Sequence, residues 1–130
     1  MRSLADLERH WRSIKGPWGF SQPQLFCQLF DAEGTLMPQI INITECAPLP
    51  DQLLLDNLLE IMTDVLADFA PGGSFAAMYA RPGDGQLRDA DRAWARALTA
   101  AGAEAPIEVW PVFLATDVGV RIASPDDLAA

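Results

Sequence analysis

Residues 74–80, SFAAMYA, are apolar or small at every position and lie between two segments of helical periodicity. A strand with no polar face cannot turn one side to water, so it must be covered on both. That condition belongs to an inner strand of a layered α/β sheet, and the rest of the chain has to supply the cover.

The flanking segments are suited to it. In SLADLERHWRSIKG, Leu4, Leu7, Trp11 and Ile14 recur at offsets of three and four, with Ser3 as N-cap and Gly16 as the stop, which predicts an amphipathic helix. His10 falls beside Trp11 among charged residues, and without a second histidine in the chain a solvated or capping role is expected. Trp18 and Phe20 follow the helix and are expected to plug the edge of the core. QLFCQLF and TLMPQIINIT, separated by DAEG, predict a hairpin in which Pro38 marks an edge strand or a bulge. Asp51 caps a helix running to about Ala70, so rich in leucine that burial of more than one face is expected. After SFAAMYA, Asp89 or Asp91 opens a further helix ending at Gly102. A strand IEVWPVFLA, a turn TDVG, a short strand VRIA and a terminal turn SPDDLAA complete the order α-β-β-α-β-α-β-β. Residues 1–20 form an N-terminal helix and linker, and residues 21–130 one α/β domain.

At 130 residues with 50% apolar content, one core can be filled. Eighteen acidic against nine basic residues give a net charge of -9, which repels phosphate and argues against nucleic-acid or anionic-membrane partners. The basic residues cluster at 2–15 and 81–96, and residues 16–80 contain none. Cys27 and Cys46 lack metal-ligand spacing and read as buried thiols in a reducing compartment. There is no charged-then-apolar leader and no apolar run of bilayer length, so a cytoplasmic location is expected.

The loop YARPGDGQLRDAD, residues 79–91, follows the inner strand and carries two arginines and three carboxylates. It lacks the lysine and hydroxyl of a phosphate-binding loop, and Gly83 and Gly85 fall short of a dinucleotide fingerprint. A nucleophilic triad has no base there. Convergence of Asp84, Asp89 and Asp91 on a metal is opposed by Arg81 and Arg88.

The hairpin, the long helix, the strand running into RPGDG, then DADRAWARALTAAG and IEVWPVFLA together resemble the RadC-like branch of the JAMM (MPN) family over residues 22–123. The resemblance implies a three-layer α-β-α, cytidine-deaminase-like fold with a central mixed sheet. In that family, two histidines one residue apart, and a serine and an aspartate opening the next helix, hold a zinc ion and its water. Here the histidine positions fall on Tyr79 and Arg81, Arg88 takes the place of the serine, and Asp91 matches the aspartate; Pro82 matches the loop proline. Either Glu33 or Glu45 corresponds to the general base. A guanidinium where an imidazole is required puts a fixed positive charge in the ion's place. Arg81 directed at Asp91 is therefore one expectation; the other is that both are solvated loop and cap positions.

The resulting expectation is a non-catalytic JAMM/RadC-like binding or scaffold module with no metal and no cofactor. Its binding residues are Tyr79, Arg81, Asp84, Arg88, Asp89 and Asp91. A protein partner or a second copy of the chain is expected, with no nucleic acid and no membrane. One alternative is a small-molecule enzyme using the loop at 81–92, with Arg81, Arg88, Asp89 and Asp91 around an anionic substrate. The other is an acidic chaperone or regulator of a basic protein. The tryptophans, Trp94 with Trp110 and Trp11 with Trp18, are expected to serve as core rather than as a pocket floor.

Overall fold

The computed structural model describes residues 2–17 and 19–124. The elements are α1 (Leu4–Lys15), β1 (Gln24–Phe30), β2 (Leu36–Ile43), α2 (Gln52–Phe69), β3 (Ser74–Ala80), α3 (Asp89–Glu104), β4 (Glu108–Val109), β5 (Phe113–Ala115) and β6 (Val120–Ile122). Trp18 and residues 125–130 of the expected terminal turn lie outside the described residues. α1 and α2 start where the sequence places their caps, whereas α3 has Arg88 as its N-cap and runs past the expected stop at Gly102 to Glu104. The Ser3 hydroxyl accepts the Asp6 N–H, and the Asp51 carboxylate accepts the N–H groups of Leu53 and Leu54. Gly16 ends α1 at φ 63°, a left-handed backbone that suits glycine.

The six strands form one mixed sheet of order β2-β1-β3-β5-β6, with β4 also paired to β3. β1 is antiparallel to both β2 and β3, β5 is parallel to β3, and β6 is antiparallel to β5. All seven residues of β3 are buried, as its composition requires. Its side chains alternate between two cores. Phe75, Ala77 and Tyr79 join Leu25, Cys27 and Leu114 with the buried residues of α2 and α3, while Ala76, Met78 and Ala80 join Phe30, Phe113 and the buried Leu7 and Trp11 of α1.

Pro38 lies in β2, which is an edge strand, and the β1–β2 register also shifts between Gln28 and Phe30. The two readings of that proline, edge and bulge, therefore both hold. The expected single strand IEVWPVFLA is broken into β4 and β5. Trp110 still donates its N–H to the Phe75 carbonyl at 2.9 Å, but Pro111 has no N–H with which to continue the ladder.

Two expectations are corrected. α2 buries one face, through Leu55, Leu58, Leu59, Met62 and Leu66, and leaves Leu53, Ile61 and Phe69 between 56% and 77% exposed. It covers the sheet from one side and is itself uncovered on the other. His10 is half-buried rather than solvated, with its ring 5.1 Å from Trp11 and 6.1 Å from Phe30, and burial lowers its pKa. No described helix is long and apolar enough to cross a membrane.

Both cysteines are free thiols, and burial pushes Cys27 up to about 12. Because this lies above the ordinary value of 9.0, the neutral thiol's contribution to stability should be complete below pH 9 and fade as pH rises toward 12, read from urea unfolding of wild type against Cys27→Ala. At the entry to β3, a Cβ on Gly73 would sit 2.3 Å from the Phe30 carbonyl oxygen. Gly73→Ala should destabilise by about 1–3 kcal/mol, as overpacking does, measured by the same unfolding curves.

Candidate functional site

The loop begins where β3 leaves the sheet, at the carboxyl end of a parallel β3-α3-β5 unit. The Arg81 N–H still donates to the Ala115 carbonyl at 3.1 Å, and beyond it the chain turns away. The Arg81 side chain folds under the loop. Its Nε donates to Asp91 Oδ1 at 2.8 Å and its Nη2 to Oδ2 at 2.9 Å, a bidentate pair between the end of β3 and the first turn of α3. Arg81 Nη1 also donates to the Pro82 carbonyl at 3.0 Å and Nη2 to the Gln86 carbonyl at 2.7 Å, so the loop wraps the cation with its own backbone.

Asp91 has a second task. Its Oδ2 accepts the Arg88 N–H at 2.9 Å, closing the backward half of a capping box at the start of α3. The ion-pair expectation holds, whereas the solvated one does not: both residues are buried, and Asp91 serves the helix start from the third position of the box, with Arg88 as the N-cap. Arg81 and Asp91 are 4% and 3% exposed. Two charges so far from water are sustained by pairing and by the surrounding carbonyl and amide partners. The bond to Asp91 raises the Arg81 pKa still further above its ordinary value.

A second clamp holds the loop from outside, through Asp117 in the β5–β6 turn. Asp117 Oδ2 accepts the Gly83 N–H at 2.8 Å, and Oδ1 accepts the Phe20 N–H, also at 2.8 Å. These amide donors lower the pKa of its carboxyl. Gly83 stands at φ 103°, and a Cβ there would meet Arg88 Nη2 at 2.9 Å. Gly19 is equally constrained, because a Cβ would fall 2.0 Å from Asp117 Oδ1. Sequence reading missed Asp117; its only visible signal was an aspartate in a TDVG turn.

The remaining expected site residues divide by exposure. Tyr79 is 2% exposed and stacks on Trp94 with ring centroids 5.3 Å apart and planes 9° from parallel. Burial, assisted by the Asp91 charge, pushes its hydroxyl up to about 12. Trp94 donates its indole N–H to the Ala47 carbonyl at 2.9 Å and is core, as is Trp11. Asp84, Arg88 and Asp89 are exposed: Asp84 accepts the Gln86 N–H and lies 3.7 Å from Arg88, while Asp89 lies 3.4 Å from Arg92. A cavity of about 230 Å³ adjoins the loop, with Leu87, Leu114, Thr116 and Val120 in its wall. Asp91 borders it, but Arg81, Arg88 and Asp89 do not, so the loop's charges do not converge on one hollow. Nor do Glu33 and Glu45, both exposed, line that cavity. Glu45 is a non-glycine residue at φ 56°, its N–H held by the Gln22 side chain at 3.0 Å.

This donor set does not suit a zinc ion. The Asp91 oxygens are committed to a guanidinium and an amide, Arg81 has no lone pair to offer, and no group of three or more His, Cys, Asp or Glu among the described residues could hold a metal.

Arg81→Met, which leaves the Asp91 charge buried and unpaired, should cost about 3–5 kcal/mol in urea unfolding, and Asp91→Leu a similar amount, while the double variant costs much less than their sum. Losses below about 1 kcal/mol, the range of exposed pairs, would show that the pair is not holding the loop. No protein-family model matches the chain, and comparison with curated proteins finds no relative.

Proposed function

We propose that this chain is a non-catalytic binding module on a three-layer α-β-α frame of RadC/JAMM type, in which a tethered guanidinium takes the place of the family's zinc ion. A protein or a second copy of the chain is its partner. The reading is carried by one observation: the residue at the second histidine position, Arg81, makes a bidentate contact with the residue at the matched aspartate position, Asp91, out of reach of water. A bound cation drawing ligands together and an arginine drawing carboxylate and carbonyls together satisfy the same electrostatic need. The arginine, however, carries no exchangeable water and offers no nucleophile.

The placement of the helices agrees with that frame. α1 buries Leu7 and Trp11 in one core, α2 and α3 bury their apolar sides in the other, and β3 lies between. The reading with an anionic small-molecule substrate gains no support, because four of the five Arg81 N–H groups are already engaged within the chain and Arg81, Arg88 and Asp89 do not line the cavity beside the loop.

Titration with zinc and with a chelator, followed by thermal unfolding and metal analysis, should leave the melting temperature unmoved and recover no stoichiometric metal. Zinc bound at the loop, or chelator-sensitive cleavage of a peptide or isopeptide bond, would overturn the reading.

A further inference from the structure

α2 carries on its open side a combination that the rest of the chain leaves unanswered. Phe69, 77% exposed at the end of the helix, lies about 160° around the axis from Leu53 and off this side, but Leu53 and Ile61 are 67% and 56% exposed on it, with Leu54 beside them at 37%. Asp56, Glu60, Asp64 and Asp68 recur every four residues beside them, and all are exposed. Like charges one turn apart repel, and Asp68 stands in the last turn, where the helix dipole favours a cation. Residues 16–80 contain no lysine or arginine. Among the described residues, none of the four carboxylates enters an ion pair within the chain.

Three of them also line a groove. Asp56, Glu60 and Asp64, with Glu104 of α3 opposite, surround a hollow of about 270 Å³ that Leu59 and Ala101 also line. The acidic groups there do not close to metal-ligand spacing. An acidic cleft with apolar side chains beside it suits a long aliphatic stem ending in a cation, which is the chemistry of lysine and arginine.

We infer that the outer face of α2 is a docking surface for a basic amphipathic helix of another protein. Its apolar residues would lie on Leu53, Leu54 and Ile61, and its cationic residues in the groove between α2 and α3. A second copy of this chain fits poorly. Its one basic helix, α1, has already buried Leu7 and Trp11, and Arg9 and Arg12 are engaged by Asp6 and Glu8. This inference rests on the chain's being a binding module but not on the metal question. Zinc found at the loop would leave it standing, and failure here would leave the loop reading intact.

The probe is a fluorescent helical peptide of leucine and lysine in amphipathic spacing, with a leucine–glutamate peptide as control, titrated with the full chain and read by anisotropy. The lysine peptide should bind and weaken as salt rises, and the glutamate peptide should not bind. Leu53→Ser with Ile61→Ser, and separately Glu60→Gln with Asp64→Gln, should each lower affinity about tenfold, while Glu33→Gln with Glu45→Gln leaves it within about twofold. The α2 side chains replaced are exposed, and thermal unfolding of each variant confirms that it folds. Absence of binding, or equal loss from the Glu33/Glu45 variant, overturns the inference. So does a concentration-dependent dimer abolished by Ile61→Ser, which would assign the face to self-association.

Discussion

Arg81 and Asp91 meet in a place that water hardly reaches, and nearly every constraint on the 81–91 segment can be traced to that meeting. The guanidinium fixes two loop carbonyls as well as the carboxylate, while the carboxylate also fixes the first turn of α3. Without the pair, the end of β3 and the start of α3 would be joined by a glycine- and proline-containing linker with few internal restraints. With it, the loop turns through Gly83 at φ 103°, a backbone that a side chain would strain. A planar fork is needed for this, since a lysine could not engage both carboxylate oxygens and two carbonyls from one position.

The electrostatics of the molecule divide accordingly. Positive charge in the second half of the chain is used locally: Arg81 on Asp91, Arg88 near Asp84, Arg92 near Asp89. Among the described residues the carboxylates of α2 enter no ion pair, and Asp56 accepts only the Gln52 side-chain amide at 2.9 Å. An acidic excess can serve solubility alone, but it is not spread evenly here. It is concentrated beside exposed leucine and isoleucine, which solubility does not favour.

Much of the frame was legible in the sequence because its signals are local. Ser3, Gly16 and Asp51 mark helix ends through hydrogen bonds that close within a few residues, and SFAAMYA declares its burial by composition. What escaped depends on partners far along the chain. The exposure of Leu53, Ile61 and Phe69 could not be read from helical periodicity, since a leucine-rich helix looks the same whether one or two faces are covered. The break at Trp110–Pro111 turns on which neighbour needs the missing N–H. For the site, charge and spacing made a pair between Arg81 and Asp91 expressible as an alternative to a cap. Nothing nearby in sequence connected Asp117 with Phe20 and Gly83, because that clamp exists only once three separate segments are brought together.

Phe20 and Asp117 are 97 residues apart in the chain, and part of what α1 packs on is more distant still: Leu7 and Trp11 share their core with Phe113, Ala115 and Val120 as well as with Phe30, Ala76, Met78 and Ala80. During synthesis, α1 therefore leaves the ribosome long before its resting place is made. Its tryptophan face can gain Phe30 and the β3 side chains first, but its cover is completed only when β5 and β6 emerge, which puts closure of this core late in folding.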